Sequence, residues 1–134
     1  MESNVITTSV PRLNLRKVVQ EYNIIIIDDN DIYNITIPKE FYYNGATIPC
    51  LFWTIFGTPY DCKNDTPGCV HDYLYDVKSD NSVLYQNTSY ITINRNVSDK
   101  IYYYLLLQNN VSEYKAFIMY FVVRIFGFLY YKKN

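Results

Sequence analysis

An excess of charge of either sign is missing from this sequence: 12 basic and 13 acidic side chains leave a formal net charge of -1. Without a basic field to neutralise a phosphate backbone, nucleic acid is not an expected partner. Cysteine is scarce and unpatterned. Cys50, Cys62 and Cys69 cannot all pair within the chain, and their spacing fits no zinc finger, so reduced thiols are expected. The opening residues Met1-Glu2-Ser3-Asn4 carry no basic stretch followed by an apolar run, so no secretory signal is expected. Repeats and low-complexity tracts are absent too. A membrane span is not expected, because the apolar stretch from Ala116 to Tyr131 is preceded by Lys115 and broken by Arg124. A charge at mid-span costs about 2.5–3.5 kcal/mol, and spans run to about 20 apolar residues. A buried core helix is the expectation there.

What is present is apolar mass: 49% of 134 residues are hydrophobic, enough for a core without staples, and one domain is expected over 1–134. The 16 tyrosines, with abundant Ile and Asn, point to an AT-rich coding sequence of the kind found in phages and viruses. Synthesis in a host cytoplasm and incorporation into a virion are the matching expectations. The first 40 or so residues read as β. Glu21 to Ile27 is a β-branched run and Ile32 to Ile37 alternates with period two, with Asp28-Asp29-Asn30-Asp31 as the turn between them. Pro38 ends the second strand. Phe41 to Trp53 reads as an ordered loop in which Asn44-Gly45 permits positive φ.

Helices follow. Thr66-Pro67 is a helix start reaching to about Val77, Asn96 or Ser98 opens a second helix through Leu107, and Ser112 opens a third to at least Phe126. The fold class is therefore α+β, a hairpin or small antiparallel sheet followed by a loop and three helices. On the first helix His71 and Tyr75 share a face, and Asp72 stands about 100° further round, beside the imidazole but not over it. A histidine acting as a base needs a partner on its far nitrogen, and Asp99 on the second helix can reach it if the two helices pack antiparallel. Asp72 then remains to hold a hard cation such as calcium. The competing reading of the same residues is a packed polar network, with Asp99 favouring the dipole of its own helix.

These residues resemble two families. Phe41-Tyr42-Tyr43-Asn44-Gly45-Ala46-Thr47-Ile48-Pro49, His71-Asp72-Tyr73-Leu74-Tyr75, Ser98-Asp99 and Tyr120 to Gly127 follow, in order, four blocks of a prophage and phage family of unknown function, numbered thirteen fifty-three among such families. Asn44 stands where that family usually has Asp, and Thr47 where it has Ser. More loosely, His71-Asp72-x-x-Tyr75 with a later Asp99 is similar to the calcium-dependent phospholipases of the secreted and parvoviral A-two type. That likeness implies a base at His71, orienting roles for Asp99 and Tyr75, and a Ca2+ ion on Asp72. The cation would be completed by the short loop at Asn44 and Gly45.

Two functions follow as expectations. One is a small phage-borne hydrolase acting with calcium on a lipid ester or a cell-envelope bond. The other is a non-catalytic virion structural or assembly protein that uses the same cluster for stability and its tyrosines for contact with other virion proteins. A third, a binding module built from Asn44, Thr47 and the loop to Trp53, has no named ligand.

Overall fold

The computed structural model describes residues 5–10, 15–43, 52 and 65–133. Asn44, Gly45, Thr47, Cys50, Trp53 and Cys62 lie outside the described residues, and with them most of the expected loop. The architecture is α+β. Strands β1 (Thr7–Val10), β2 (Leu15–Val18) and β5 (Tyr42–Tyr43) form one antiparallel sheet in the order β1-β2-β5. Strands β3 (Tyr22–Asp28), β4 (Asp31–Ile37), β6 (Val83–Tyr85) and β7 (Ser89–Ile91) form a second, in that order. Helices α1 (Asp65–Tyr75), α2 (Arg95–Gln108) and α3 (Glu113–Phe126) complete the described elements, with short 3-10 turns at Val77–Ser79 and Gly127–Leu129.

The expected hairpin forms with its alternation intact. Tyr22, Ile24 and Ile26 face inward and pair across the ladder with Ile37, Ile35 and Tyr33, all buried, while Ile25 and Ile27 face out. Asp29 takes φ of 53° in the two-residue turn, a left-handed conformation that Asp tolerates. Strand structure is not confined to the front of the chain, however. The β6–β7 hairpin lies between the first two helices, and Gln86 joins it to the first hairpin by accepting from Ile32 N–H at 2.9 Å and donating to Asn30 O at 2.8 Å.

One helix start differs in detail from the sequence pattern, that of α2. α1 is described from Asp65, whose charge suits a first turn and which accepts from Tyr43 and Thr7 of the first sheet. Thr66 is occupied otherwise, accepting from Val5 N–H at 3.1 Å. Asn94 caps α2 through Val97 N–H at 2.9 Å, one turn earlier than Ser98. Ser112 caps α3 as the pattern predicts.

α2 is the shared wall between two apolar clusters. Its Ile101 and Leu105 pack with Val70 and Leu74 of α1 and the inner face of the four-stranded sheet, while its Tyr102 and Leu106 pack with Ala116, Met119 and Val123 of α3. α3 corrects the expectation of a buried core helix. One face is buried, but Phe117, Phe121 and Ile125 are about half exposed.

Truncating the centre of the larger cluster should be costly. Leu74→Ala is expected to lower stability by about 2–5 kcal/mol in urea unfolding, and Ile25→Ala, on the outer face of β3, to leave it within about 0.5 kcal/mol.

Candidate functional site

The site is organised by a carboxylate with no solvent exposure. Asp99 is 0% exposed and His71 1%. Asp99 Oδ1 lies 2.7 Å from His71 Nε2 and accepts from the Tyr75 hydroxyl at 2.6 Å. Its second oxygen, Oδ2, accepts from Arg124 Nη1 at 2.7 Å and lies 3.7 Å from Arg95 Nη1. Three elements thus meet on one side chain: α1 through His71 and Tyr75, α2 through Asp99 itself, and α3 through Arg124.

Burial pushes the Asp99 carboxyl up. The bond to His71, then the bonds from Tyr75 and Arg124, outweigh it and hold the group below its ordinary 3.8. The carboxylate is ionised and acceptor-only, so the proton in its bond to His71 sits on Nε2. Burial, and then the bond to Asp99, raise the Tyr75 hydroxyl, so it stays a protonated donor despite opposition from Arg95. The imidazole plane is fixed by tilted contacts with Tyr75 at 4.2 Å and Tyr102 at 4.8 Å between ring centroids. With Nε2 taken, Nδ1 points the other way and lies 4.0 Å from Asp72 Oδ1, beyond hydrogen-bond length.

Asp72 is half-buried and opens onto a cavity of about 390 Å³ between α1 and the three-stranded sheet. Asp76, one helical turn on, also lines it, with Lys132 Nζ 3.5 Å from its carboxylate. His71 lies behind Asp72 and is not part of the lining.

The structure therefore brings His71, Tyr75 and Asp99 together and sets Asp72 beside them, whereas Asn44 and Gly45 fall outside the described residues. Sequence reasoning missed both arginines. Arg124 entered as a charge interrupting an apolar run and as part of the last of the four sequence blocks, without a role, yet it is the closest cation to Asp99. Arg95 had no signal. It also donates to the carbonyls of Val123 and Arg124, which end α3, at 3.4 and 3.1 Å. Gly127 is required for room: a Cβ there would collide with the Tyr75 hydroxyl.

The family model described as "Protein of unknown function (DUF1353)" matches residues 16–123. The chain belongs to the DUF1353 family. The span matched to DUF1353 contains His71, Asp72, Tyr75 and Asp99 and ends one residue before Arg124. An uncharacterized protein of Sinorhizobium fredii (strain NBRC 101917 / NGR234), y4jT, is 31% identical over 100 residues, covering 75% of this chain and 26% of that protein. The chain thus spans about a quarter of the length of this curated relative. No solved structure matches.

A carboxylate whose folded-state titration lies low contributes stability above its ordinary value, and that contribution disappears as the pH falls through the lowered one. Asp99→Asn is expected to cost about 3–5 kcal/mol at neutral pH, because Arg124 then faces a buried neutral partner. In urea unfolding, the gap between wild type and variant should narrow below about pH 4. A gap that stays constant as the pH falls well below about 4 would contradict the assignment.

Proposed function

We propose that this DUF1353 chain is a small hydrolase in which His71 Nδ1 acts as general base on water attacking an ester of a lipid or cell-envelope substrate. The observation that carries the reading is the polarity of the imidazole: Nε2 is tied to ionised Asp99, and Nδ1 is turned toward Asp72 at the cavity. Water oxygen bonds to the carbonyl carbon as Nδ1 takes its proton. The proton returns to the departing alkoxide, leaving an acid and an alcohol. Asp99 orients the ring and offsets the charge of the imidazolium, and Tyr75 and Arg124 fix Asp99 in turn.

An antiparallel setting of α1 and α2 is part of this reading. It is supported by contact order, since His71 meets both Asp99 and Tyr102 while Tyr75, one turn later on α1, meets Asp99 and is influenced by the still earlier Arg95. Calcium is the cation this reading would place on Asp72. Asp72 is a carboxylate at the cavity, and the other two expected ligands, Asn44 and Gly45, lie outside the described residues. No step is therefore routed through a cation.

A second reading is favoured by one observation: His71 is sealed to 1% exposure. In it the cluster is a polar clamp within a virion structural or assembly protein. Against a purely stabilising role, a buried ion pair is commonly no more stable than apolar residues of the same volume.

The deciding experiment is a fluorogenic panel of phospholipid and simple esters, with and without added calcium. Hydrolysis by the wild type is expected, falling about 10²–10⁴-fold in His71→Asn with circular dichroism unchanged. No turnover of any ester at any calcium level would reject the hydrolase and leave the clamp.

A further inference from the structure

The cavity beside Asp72 has a wall of aromatic rings. Phe41, Tyr42 and Tyr43 line it from the side of the three-stranded sheet, and Tyr75 and Tyr130 from the helical side. Tyr43 commits its hydroxyl to Asp65 and Tyr75 commits its own to Asp99, so ring carbon is what these two add to the wall. Phe41 and Tyr43 stack nearly parallel, with 6° between ring planes. Tyr42 and Tyr130 stay exposed, at 41% and 37%. At about 390 Å³ the cavity lies within the roughly 300–1,000 Å³ of small-molecule sites.

Charge narrows the choice of ligand. The described lining residues include two acids, Asp72 and Asp76, and two lysines, Lys78 and Lys132, whose charges sum to zero. That balance draws neither a cation nor an anion. A zwitterion gains little more, because Asp76 already meets Lys132 Nζ at 3.5 Å and a ligand with both charges would exchange that pair for others like it. An acyl chain has no donor or acceptor, so one filling the cavity would strip water from these charged side chains and return no bond. Charges that stay in place suit a neutral ligand rich in hydroxyls, since a hydroxyl can both donate to a carboxylate and accept from an ammonium group.

We propose that this cavity binds a neutral sugar unit, so that the substrate is an acylated saccharide rather than a lipid. A pyranose matches both parts of the lining: its C–H faces pack on aromatic rings, and its hydroxyl edge meets carboxylates and lysines. On the hydrolase reading, on which this next step rests, His71 Nδ1 lies 4.0 Å from Asp72 at the cavity, so the ester cut is an acyl group on a hydroxyl of the bound sugar. Water oxygen bonds to the acyl carbon while Nδ1 takes its proton. The bond from that carbon to the sugar oxygen breaks, and the proton passes to the sugar oxygen, leaving a free acid and a free sugar hydroxyl.

The test is titration of the full chain, followed by saturation-transfer NMR, with maltose, lactose and the disaccharide of N-acetylglucosamine, and with phosphocholine as the zwitterion. At least one sugar is expected to bind, with transfer to its C–H protons, and phosphocholine to bind at least roughly tenfold more weakly. Tyr42→Ala and Tyr130→Ala should each weaken sugar binding about fivefold, with circular dichroism unchanged. The proposal is overturned if none of the sugars binds, if phosphocholine binds as tightly as the best of them, or if either variant binds sugar like wild type. Binding is read without turnover. A chain that holds these sugars but hydrolyses no ester loses the hydrolase and keeps the sugar site, and one that cleaves phospholipid without holding a sugar keeps the hydrolase and loses the site.

Discussion

The fold closes around the cost of burying one negative charge. Asp99 is fully enclosed, and an isolated carboxylate there would be far costlier than any single apolar contact could offset. It is tolerated because donors arrive from separate elements: His71 and Tyr75 from α1, Arg124 from α3, with Arg95 close by on its own helix. Each donor fixes a helix position. The neighbouring choices follow from it, including the absence of a side chain at Gly127 and the packing of Tyr102 against the imidazole.

The same constraint gives the histidine its direction. An ionised acceptor on one side dictates which nitrogen bears the shared proton, and so which nitrogen is left for anything entering from the Asp72 side. A network built only for rigidity would have no need of that polarity, although it would show the same bonds. The cavity beside Asp72, bordered by the three-stranded sheet and by Tyr130 and Lys132 of the C-terminal segment, gives the polarity a destination.

Much of this was legible in the sequence where a signal is local. The period-two run at Ile32 to Ile37, the acidic turn at Asp28 to Asp31 and the Ser112 cap need only short-range chemistry, and each lies where the pattern puts it. The four-residue spacing of His71 and Tyr75 placed both on the face that meets Asp99. What escaped depends on partners distant in the chain. β1 and β2 are short and pair mainly with each other and β5; β6 and β7 turn through Gln86 and Asn87, at φ of 55° and 57°, without the glycine that marks such turns. Arg124 read as a charge spoiling an apolar run because its anion lies 25 residues earlier. The apolar face of α3 could not be divided into buried and exposed halves before the position of α2 was known.

The chain contains a single histidine, so its imidazole can be observed without overlap. Two-bond ¹H–¹⁵N correlation spectra of the histidine-labelled chain at neutral pH report which ring nitrogen carries a proton. A proton on Nε2, sheltered from exchange and shifted downfield by its bond to Asp99, is the predicted result. An Nε2 found without a proton would contradict the account, since Asp99 would then not be the acceptor that directs His71 and joins the helices.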